Sequence, residues 1–229
     1  QWLARCPKEK KIGGKLMPIN QHSSTPQKRL ESLMAARLAD GADKEKIDQR
    51  IWDSFGEKWC VMFTDLCGFS RRTEKFGIIH FMQIIFESER LILPIIEDFD
   101  GFLIKSEGDS LLVLFKRPEK ALLCCRKIHE DLQEYNKTKS EEEQILFCVG
   151  LGYGDILNIG YADVFGAEVN AASKLGEDTA KAWEILVTEN VKNEVENIIK
   201  NDKTVLGASF IPIDFVPPGA KRAYKVDFN

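Results

Sequence analysis

Apolar residues along the chain fall into short unbroken runs and helical repeats whose order predicts most of its elements. From Pro26 onward Leu30, Leu33, Met34 and Leu38 recur at three- and four-residue spacing, which predicts a helix stopped at Gly41. A second short helix over about Asp43 to Phe55 presents Ile47, Ile51 and Trp52, and Gly56 ends it. The pair reads equally as a dimerising or signal-transmitting stalk and as a lid packed on the next domain. Cys60 to Thr64 is a short apolar run closed by Asp65, the pattern of a buried strand. Gly77 to about Asp98 carries Phe81, Ile84, Ile85, Leu91 and Ile95 in helical spacing, with Pro94 expected to kink it. Phe102–Ser106 and Leu111–Phe115 flank Glu107, Gly108 and Asp109, an acidic glycine turn that predicts a β-hairpin. Pro118 suits the first position of a helix running to about Lys137. Leu146–Tyr153 reads as a strand, Ala167–Leu175 as a helix and Ile185–Thr188 as a strand. Thr188 is placed to cap a helix from Glu189 to Lys200, and Ser209–Ile213 and Arg222–Phe228 read as closing strands.

This order predicts an α+β fold: a ferredoxin-like βαββαβ core with additional αβ elements, preceded by a short helical N-terminal segment. The expected division is a flexible basic leader over 1–27, the helical segment over 28–57 and one folded domain over 58–229. The leader carries Arg5, Lys8, Lys10, Lys11 and Lys15 against Glu9 and has no apolar period. It reads as a solvated leader, or a linker from an upstream regulatory or sensor module, rather than a lipid contact.

Composition narrows the class. With 229 residues, 44% of them apolar, the chain is too hydrophobic to stay disordered. Its longest apolar runs, such as Leu91 to Ile96, fall far short of the ~20 residues a membrane helix needs. A net charge of −4 gives no general pull towards nucleic acid. The strands Phe102–Ser106 and Leu111–Phe115 also show no exposed aromatic pair beside basic residues, so no nucleic-acid partner is expected. The six cysteines form no C-x-x-C pair and lack clustered histidines, which argues against a zinc site. The opening residues are polar and basic, without a signal peptide, and a reducing cytoplasm is the expected setting.

Two carboxylates stand where chemistry could be done. Asp65 ends the first strand and Asp109 lies in the hairpin turn; in this fold those strands are neighbours. Paired carboxylates suit Mg²⁺, which takes a few carboxylate oxygens and completes its shell with substrate phosphates. Either aspartate alone reads rather as a turn or cap residue, and it is the pair that points to chemistry. The loop after Asp65 holds Gly68 ahead of a helix, a place where backbone N–H groups can cradle phosphate, or simply a tight turn. Asn170 and Lys174, four residues apart, share one face of a helix beside the small Ala171 and Ala172. The histidines His22, His80 and His129 read as structural or surface residues.

Three stretches carry a resemblance. They are Phe63–Ser70 (FTDLCGFS), Lys105–Asp109 (KSEGD) and Asp163–Lys174 (DVFGAEVNAASK). In order and spacing they resemble the successive signatures of the class III adenylate/guanylate cyclase catalytic domain, over about residues 58–228. The resemblance implies that Asp65 and Asp109, with Leu66 beside them, hold two Mg²⁺ or Mn²⁺ ions, and that Cys67, Gly68 and Phe69 face the substrate phosphates. It implies that Lys105 and Asp163 select the purine. A Lys donor suits adenine N1 and an Asp acceptor suits the adenine amino group, so ATP is the expected substrate. Asn170 matches the residue that orients the ribose. Lys174 stands where most members have arginine; it keeps the charge and loses the planar bidentate fork. In the loop Val216–Arg222 the family often has a triphosphate-binding lysine, and Lys221 or Arg222 are the substitutes at hand. The implied reaction is conversion of ATP to 3′,5′-cyclic AMP and pyrophosphate at the interface of a homodimer. Two alternatives stand beside it. One is a weak or inactive cyclase-like nucleotide-binding regulatory domain, motivated by Lys174 and the Pro-rich last loop. The other is a guanylate cyclase, against which Lys105 and Asp163 count.

Overall fold

The computed structural model describes residues 25–67, 75–201 and 207–228. Six α-helices stand among them: α1 (Pro26–Leu38), α2 (Lys44–Phe55), α3 (Ile78–Asp98), α4 (Pro118–Asn136), α5 (Ala167–Gly176) and α6 (Glu189–Asn201). The strands are β1 (Gly56–Leu66), β2 (Phe102–Glu107), β3 (Ser110–Phe115), β4 (Phe147–Asn158), β5 (Val164–Phe165), β6 (Ile185–Thr188), β7 (Ala208–Ile213) and β8 (Ala223–Phe228). They form one sheet in the order β2-β3-β1-β4-β6-β8-β7, with β5 paired to β4. The β2-β3-β1-β4 part is the expected ferredoxin-like core, antiparallel throughout. β6 joins it parallel to β4, and β8 and β7 follow as the added αβ unit.

The two faces of the sheet are covered differently. One face packs Cys60, Met62, Val113, Phe115, Val149 and Leu151 beneath apolar side chains of α3, α4 and α6. The amphipathic α3 turns Phe81, Ile84, Ile92, Ile95 and Ile96 inward, and Pro94 lies inside it without dividing it. On the opposite face α5 covers Trp59, Val61, Leu112, Leu114 and Ile156 through Val169 and Ala172. Alternation along β1 assigns its residues to the two faces in turn. Asp65 therefore shares the α5 side with Trp59 and Val61.

α5 approaches β4 over a track of glycines. A Cβ on Gly150 would lie 2.1 Å from the carbonyl oxygen of Ala172, and one on Gly152 would lie 2.3 Å from that of Glu168. Backbone meets backbone there, with no side-chain layer between.

β1 and β4 are both longer than their apolar runs. Their ladder extends from Gly56 opposite Leu157 to Leu66 opposite Phe147, so mutual pairing carries Glu57, Lys58 and Asp155 into strand conformation. The boundary placed at 57/58 consequently falls inside β1, and α1 already begins at Pro26, behind the N-cap Thr25. Of the two readings of α1 and α2, packing on the domain is what is found. Leu33, Ile47, Ile51 and Phe55 form a small core with Ile159, just beyond β4, and Arg37 binds Asp48 across the two helices at 2.6 Å. Residues 1–24 of the expected leader lie outside the described residues.

Candidate active site

β1 brings Asp65 to its end, and the β2–β3 turn brings Asp109 beside it. Glu107 pairs with Ser110, leaving Gly108 and Asp109 as a two-residue hairpin loop; Gly108 sits at φ +63°, which its missing Cβ permits. The Asp65 and Asp109 carboxyl groups share a hydrogen bond. Burial, followed by the charge of Asp109, pushes the Asp65 pKa up to about 7, and burial likewise raises that of Asp109. Glu177, just after α5, adds a third negative charge to both; it accepts a hydrogen bond from Ser110 Oγ at 3.0 Å and another from Ser173 Oγ. Two half-buried carboxyl groups whose ionisation is opposed by burial and by the charge of Glu177 are a site short of positive charge. A hard divalent cation fits that donor set, because it would let both oxygen pairs ionise.

The phosphate-loop expectation is revised at one residue. The Cys67 N–H donates to the Leu146 carbonyl at 2.7 Å, so the ladder to β4 already engages the amide expected to face phosphate. The Cys67 thiol instead meets the Cys148 thiol at 3.0 Å. The Leu66 side chain is buried on the α3 side, while its backbone N–H donates to the Asp65 carboxylate. Gly68 and Phe69 lie outside the described residues.

The residues expected at the base come together. Lys105 on β2 and Asp163 before β5 form an ion pair, Nζ to Oδ2 at 2.9 Å, with about a third of each side chain exposed (33% and 38%). The Val164 N–H donates to Asp163 Oδ1 at 2.9 Å and fixes the carboxylate's orientation. On α5, Asn170 and Lys174 share an exposed stripe. Lys174 is held by Asp178 at 2.5 Å, whose hydrogen bond and charge raise the ammonium's pKa. Lys221 and Arg222 are exposed in a loop whose Gly219 lies against Ala167 at the start of α5.

Residue types alone left three participants unseen: Glu177, Asp178 and Glu168. Glu168 is buried and accepts from the Tyr153 N–H at 2.9 Å, Thr188 Oγ at 2.7 Å and Asn190 Nδ2 at 2.7 Å. It pins the first turn of α5 to β4 and to the β6–α6 junction. The signal was present in β4 as Gly150, Gly152 and Gly154 at alternate positions, which marks a close backbone approach. Of the histidines, His129 is partly buried against Phe147 and Trp183, and desolvation lowers its pKa to about 4, as suits a structural residue. Phe102 on β2 has an exposed aromatic neighbour from outside the hairpin, Tyr161, at 5.8 Å between ring centroids.

Comparison with known proteins gives the family and the fold. The family model described as the adenylate and guanylate cyclase catalytic domain matches residues 54–208. The serine/threonine-protein kinase pkn2 of Myxococcus xanthus is 29% identical over 152 residues, 66% of this chain and 18% of that protein. The chain spans about a fifth of the length of the curated relatives it matches. Among solved structures, an adenylate/guanylate cyclase/hydrolase from Silicibacter pomeroyi aligns with a TM-score of 0.60 at 23% identity, covering 74% of this chain and 96% of that one. The adenylyl cyclase CyaB from P. aeruginosa aligns with a TM-score of 0.55 at 19% identity, covering 76% and 95%. Guanylyl cyclases are among the matched structures too. At these identities the structural likenesses speak for the fold. No helix among the described residues is long and apolar enough to cross a membrane.

Proposed function

Because the chain belongs to the adenylate and guanylate cyclase catalytic domain family, we propose that it converts ATP to 3′,5′-cyclic AMP and pyrophosphate, at sites shared between two copies. The observation that carries this reading is the meeting of Asp65 and Asp109 at the end of β1, where burial raises the proton affinity of both and the charge of Asp109 adds to that of Asp65. They would hold two Mg²⁺ or Mn²⁺ ions. Metal held there would supply Lewis-acid chemistry, lowering the pKa of the ribose 3′-hydroxyl and offsetting the charge of the triphosphate.

The remaining roles fall to the chain's own side chains. Lys105 donates to adenine N1 and Asp163 accepts from the amino group; guanine presents an acceptor and a donor in the reverse places. The 2.9 Å ion pair between them must open to admit the base, and the base then takes over both partners. Asn170 hydrogen-bonds the ribose and sets the 3′-oxygen in line with the α-phosphorus. Lys174 stabilises the charge that builds on the α-phosphate as the new P–O bond forms and pyrophosphate leaves. Lys221 and Arg222 are assigned to the triphosphate tail, and Leu66, Gly68 and Phe69 to the metal and phosphate side of the pocket.

One copy would supply Asp65 and Asp109, and its partner Lys105, Asp163, Asn170 and Lys174, in a two-fold homodimer with two equivalent sites. A cytoplasmic setting and an upstream sensor or regulatory module belong to the same reading; the chain spans about a fifth of the length of its curated relatives, which leaves room for further modules. A second reading, a nucleotide-binding domain that turns over poorly, draws on the Lys174–Asp178 contact, which ties up the transition-state cation.

Incubation with Mn²⁺ and either ATP or GTP, with the product identified by mass spectrometry, tests the reading. Cyclic AMP is expected; cyclic GMP alone, or no product, overturns it. Subunit sharing has its own assay. Asp65→Ala and Asn170→Ala are each expected to be inactive, while their mixture after subunit exchange should recover about a quarter of wild-type activity, from one intact site in each heterodimer. A mixture that exchanges and stays inactive rules out shared sites.

A further inference from the structure

Two thiols meet where β1 ends and β4 begins. Asp65 is opposite Cys148 in the β1–β4 ladder, so Cys67, two residues further on, projects from the same face of the sheet. The ladder hydrogen bond from the Cys67 N–H to Leu146 fixes the backbone there, and the two sulfurs stand 3.0 Å apart, about 1 Å beyond an S–S bond of ~2.05 Å. Cys148 Sγ also lies 3.5 Å from the carbonyl oxygens of both Asp65 and Gly176. Its sulfur therefore touches the strand that carries Asp65 and the last residue of α5. Among the described cysteines Cys60, Cys124, Cys125 and Cys148 are buried, and Cys67 is partly exposed. An oxidant has one point of entry to this pair.

We propose that Cys67 and Cys148 form a reversible oxidation site, closed to a disulfide by a peroxide and opened by a cellular thiol, and that closure turns the active site down. The effect on turnover rests on the cyclase reading; the cross-link itself does not. In the first step the Cys67 sulfur attacks one oxygen of hydrogen peroxide and the O–O bond breaks. One water leaves and Cys67 becomes a sulfenic acid. The Cys148 sulfur then attacks the Cys67 sulfur, the S–S bond forms, the S–O bond breaks and a second water leaves. Two thiols are oxidised by two electrons in total, and one peroxide is reduced to two waters. A dithiol reverses the change and is itself oxidised to a disulfide.

Closure draws the sulfurs together and takes Cys148 Sγ away from the Asp65 and Gly176 carbonyls. Behind Cys148 there is no slack: a Cβ on Gly150 would lie 2.3 Å from the Gly176 nitrogen, so α5 cannot settle inward. The adjustment falls on the end of β1 and shifts Asp65 relative to Asp109. Displacing a catalytic group by about 1 Å can cost on the order of a hundredfold in rate.

The test uses the full chain, fully reduced, then treated with hydrogen peroxide, quenched by alkylation and digested for mass spectrometry. A peptide linking Cys67 to Cys148 is expected, with two thiols lost and both restored by dithiothreitol. Turnover should fall at least about tenfold in step with the linked fraction and return on reduction. Cys148→Ala should give no linked peptide, and a dimedone adduct should appear on Cys67 in its place. Cys67→Ser should keep its own untreated turnover through the same exposure. Absence of the linked peptide in a protein whose melting is unchanged overturns the proposal, as does a linked protein with undiminished turnover. If the reduced protein makes no cyclic nucleotide, the cyclase reading fails. Closure is then read from Mn²⁺-induced thermal stabilisation, which must shrink on cross-linking for the proposal to stand.

Discussion

The charged groups around the site fall into two kinds of region. At the end of β1, Asp65 and Asp109 set like charge against like, and burial and repulsion raise both proton affinities. On β2 and α5, Lys105 with Asp163 and Lys174 with Asp178 are already neutralised pairs, at 2.9 and 2.5 Å. The first region lacks positive charge and gains from a cation. The second lacks nothing, so a ligand must displace an existing partner before it can bind. A site that joins the two would use ion binding to offset the cost of opening its ion pairs.

Replacing one of the repelling partners breaks that contrast most strongly. Asp65→Asn is expected to lower turnover by two orders of magnitude or more, on the order of what loss of a charge-stabilising group costs. Its metal-free stability should move the other way. The Asp65 pKa is raised to about 7 from an ordinary 3.8, so its favourable contribution is complete below about pH 4 and is lost as pH rises through 7. The melting temperature of metal-free Asp65→Asn should therefore exceed wild type at pH 8, with the gap closing towards pH 4. Added Mn²⁺ should reverse the order at pH 8, because only wild type binds it tightly. Equal melting temperatures at both pH values would mean that the carboxylates do not oppose each other.

Lys174→Ala ranks next. It should cut kcat by about a hundredfold and change KM little, since the charge is needed most in the transition state. Lys174→Arg should match or exceed wild type. An Ala variant with unchanged kcat would hand the role to another cation.

The double change Lys105→Glu with Asp163→Cys should lower ATP turnover by more than tenfold and raise relative use of GTP. Each mismatched hydrogen bond is worth ~1–3 kcal/mol. Retained preference for ATP would remove the pair from the base. Asp178→Asn gives the smallest effect. An exposed pair one helical turn apart contributes little to stability, so melting should shift by no more than about 1–2 °C while kcat rises a few-fold as Lys174 is freed.

The extent to which these regions were readable in sequence follows from the range of the forces that make them. Hairpin and helices came from local periodicity and the strand order from the succession of elements, whereas Lys105 and Asp163 were assigned to one base by the family resemblance. The engagement of the Cys67 amide came from none of these, because β1 ends where its partner begins: Leu66 is strand only through Phe147, 81 positions away. The contact between Cys67 and Cys148 was hidden for the same reason. Gly150, Gly152 and Gly154 were read as part of a strand without their meaning, since close approach depends on which helix lands on them. Asp178 lies just beyond the matching motif, and nothing in its neighbours distinguishes it from a surface carboxylate.

The glycine track beneath α5 has a mechanical consequence. A helix resting on interlocking side chains can slide by changing rotamers, as α3 and α4 can over their aliphatic layer. α5 has no such cushion where its carbonyls meet Gly150 and Gly152, and Glu168 bolts its first turn to the strand. It is stiff against β4 and travels with it. The far end of β4 runs on to Ile159, which is clasped by α1 and α2. Helix pair, strand and the Asn170–Lys174 stripe thus behave as one beam, with compliance left to the opposite layer.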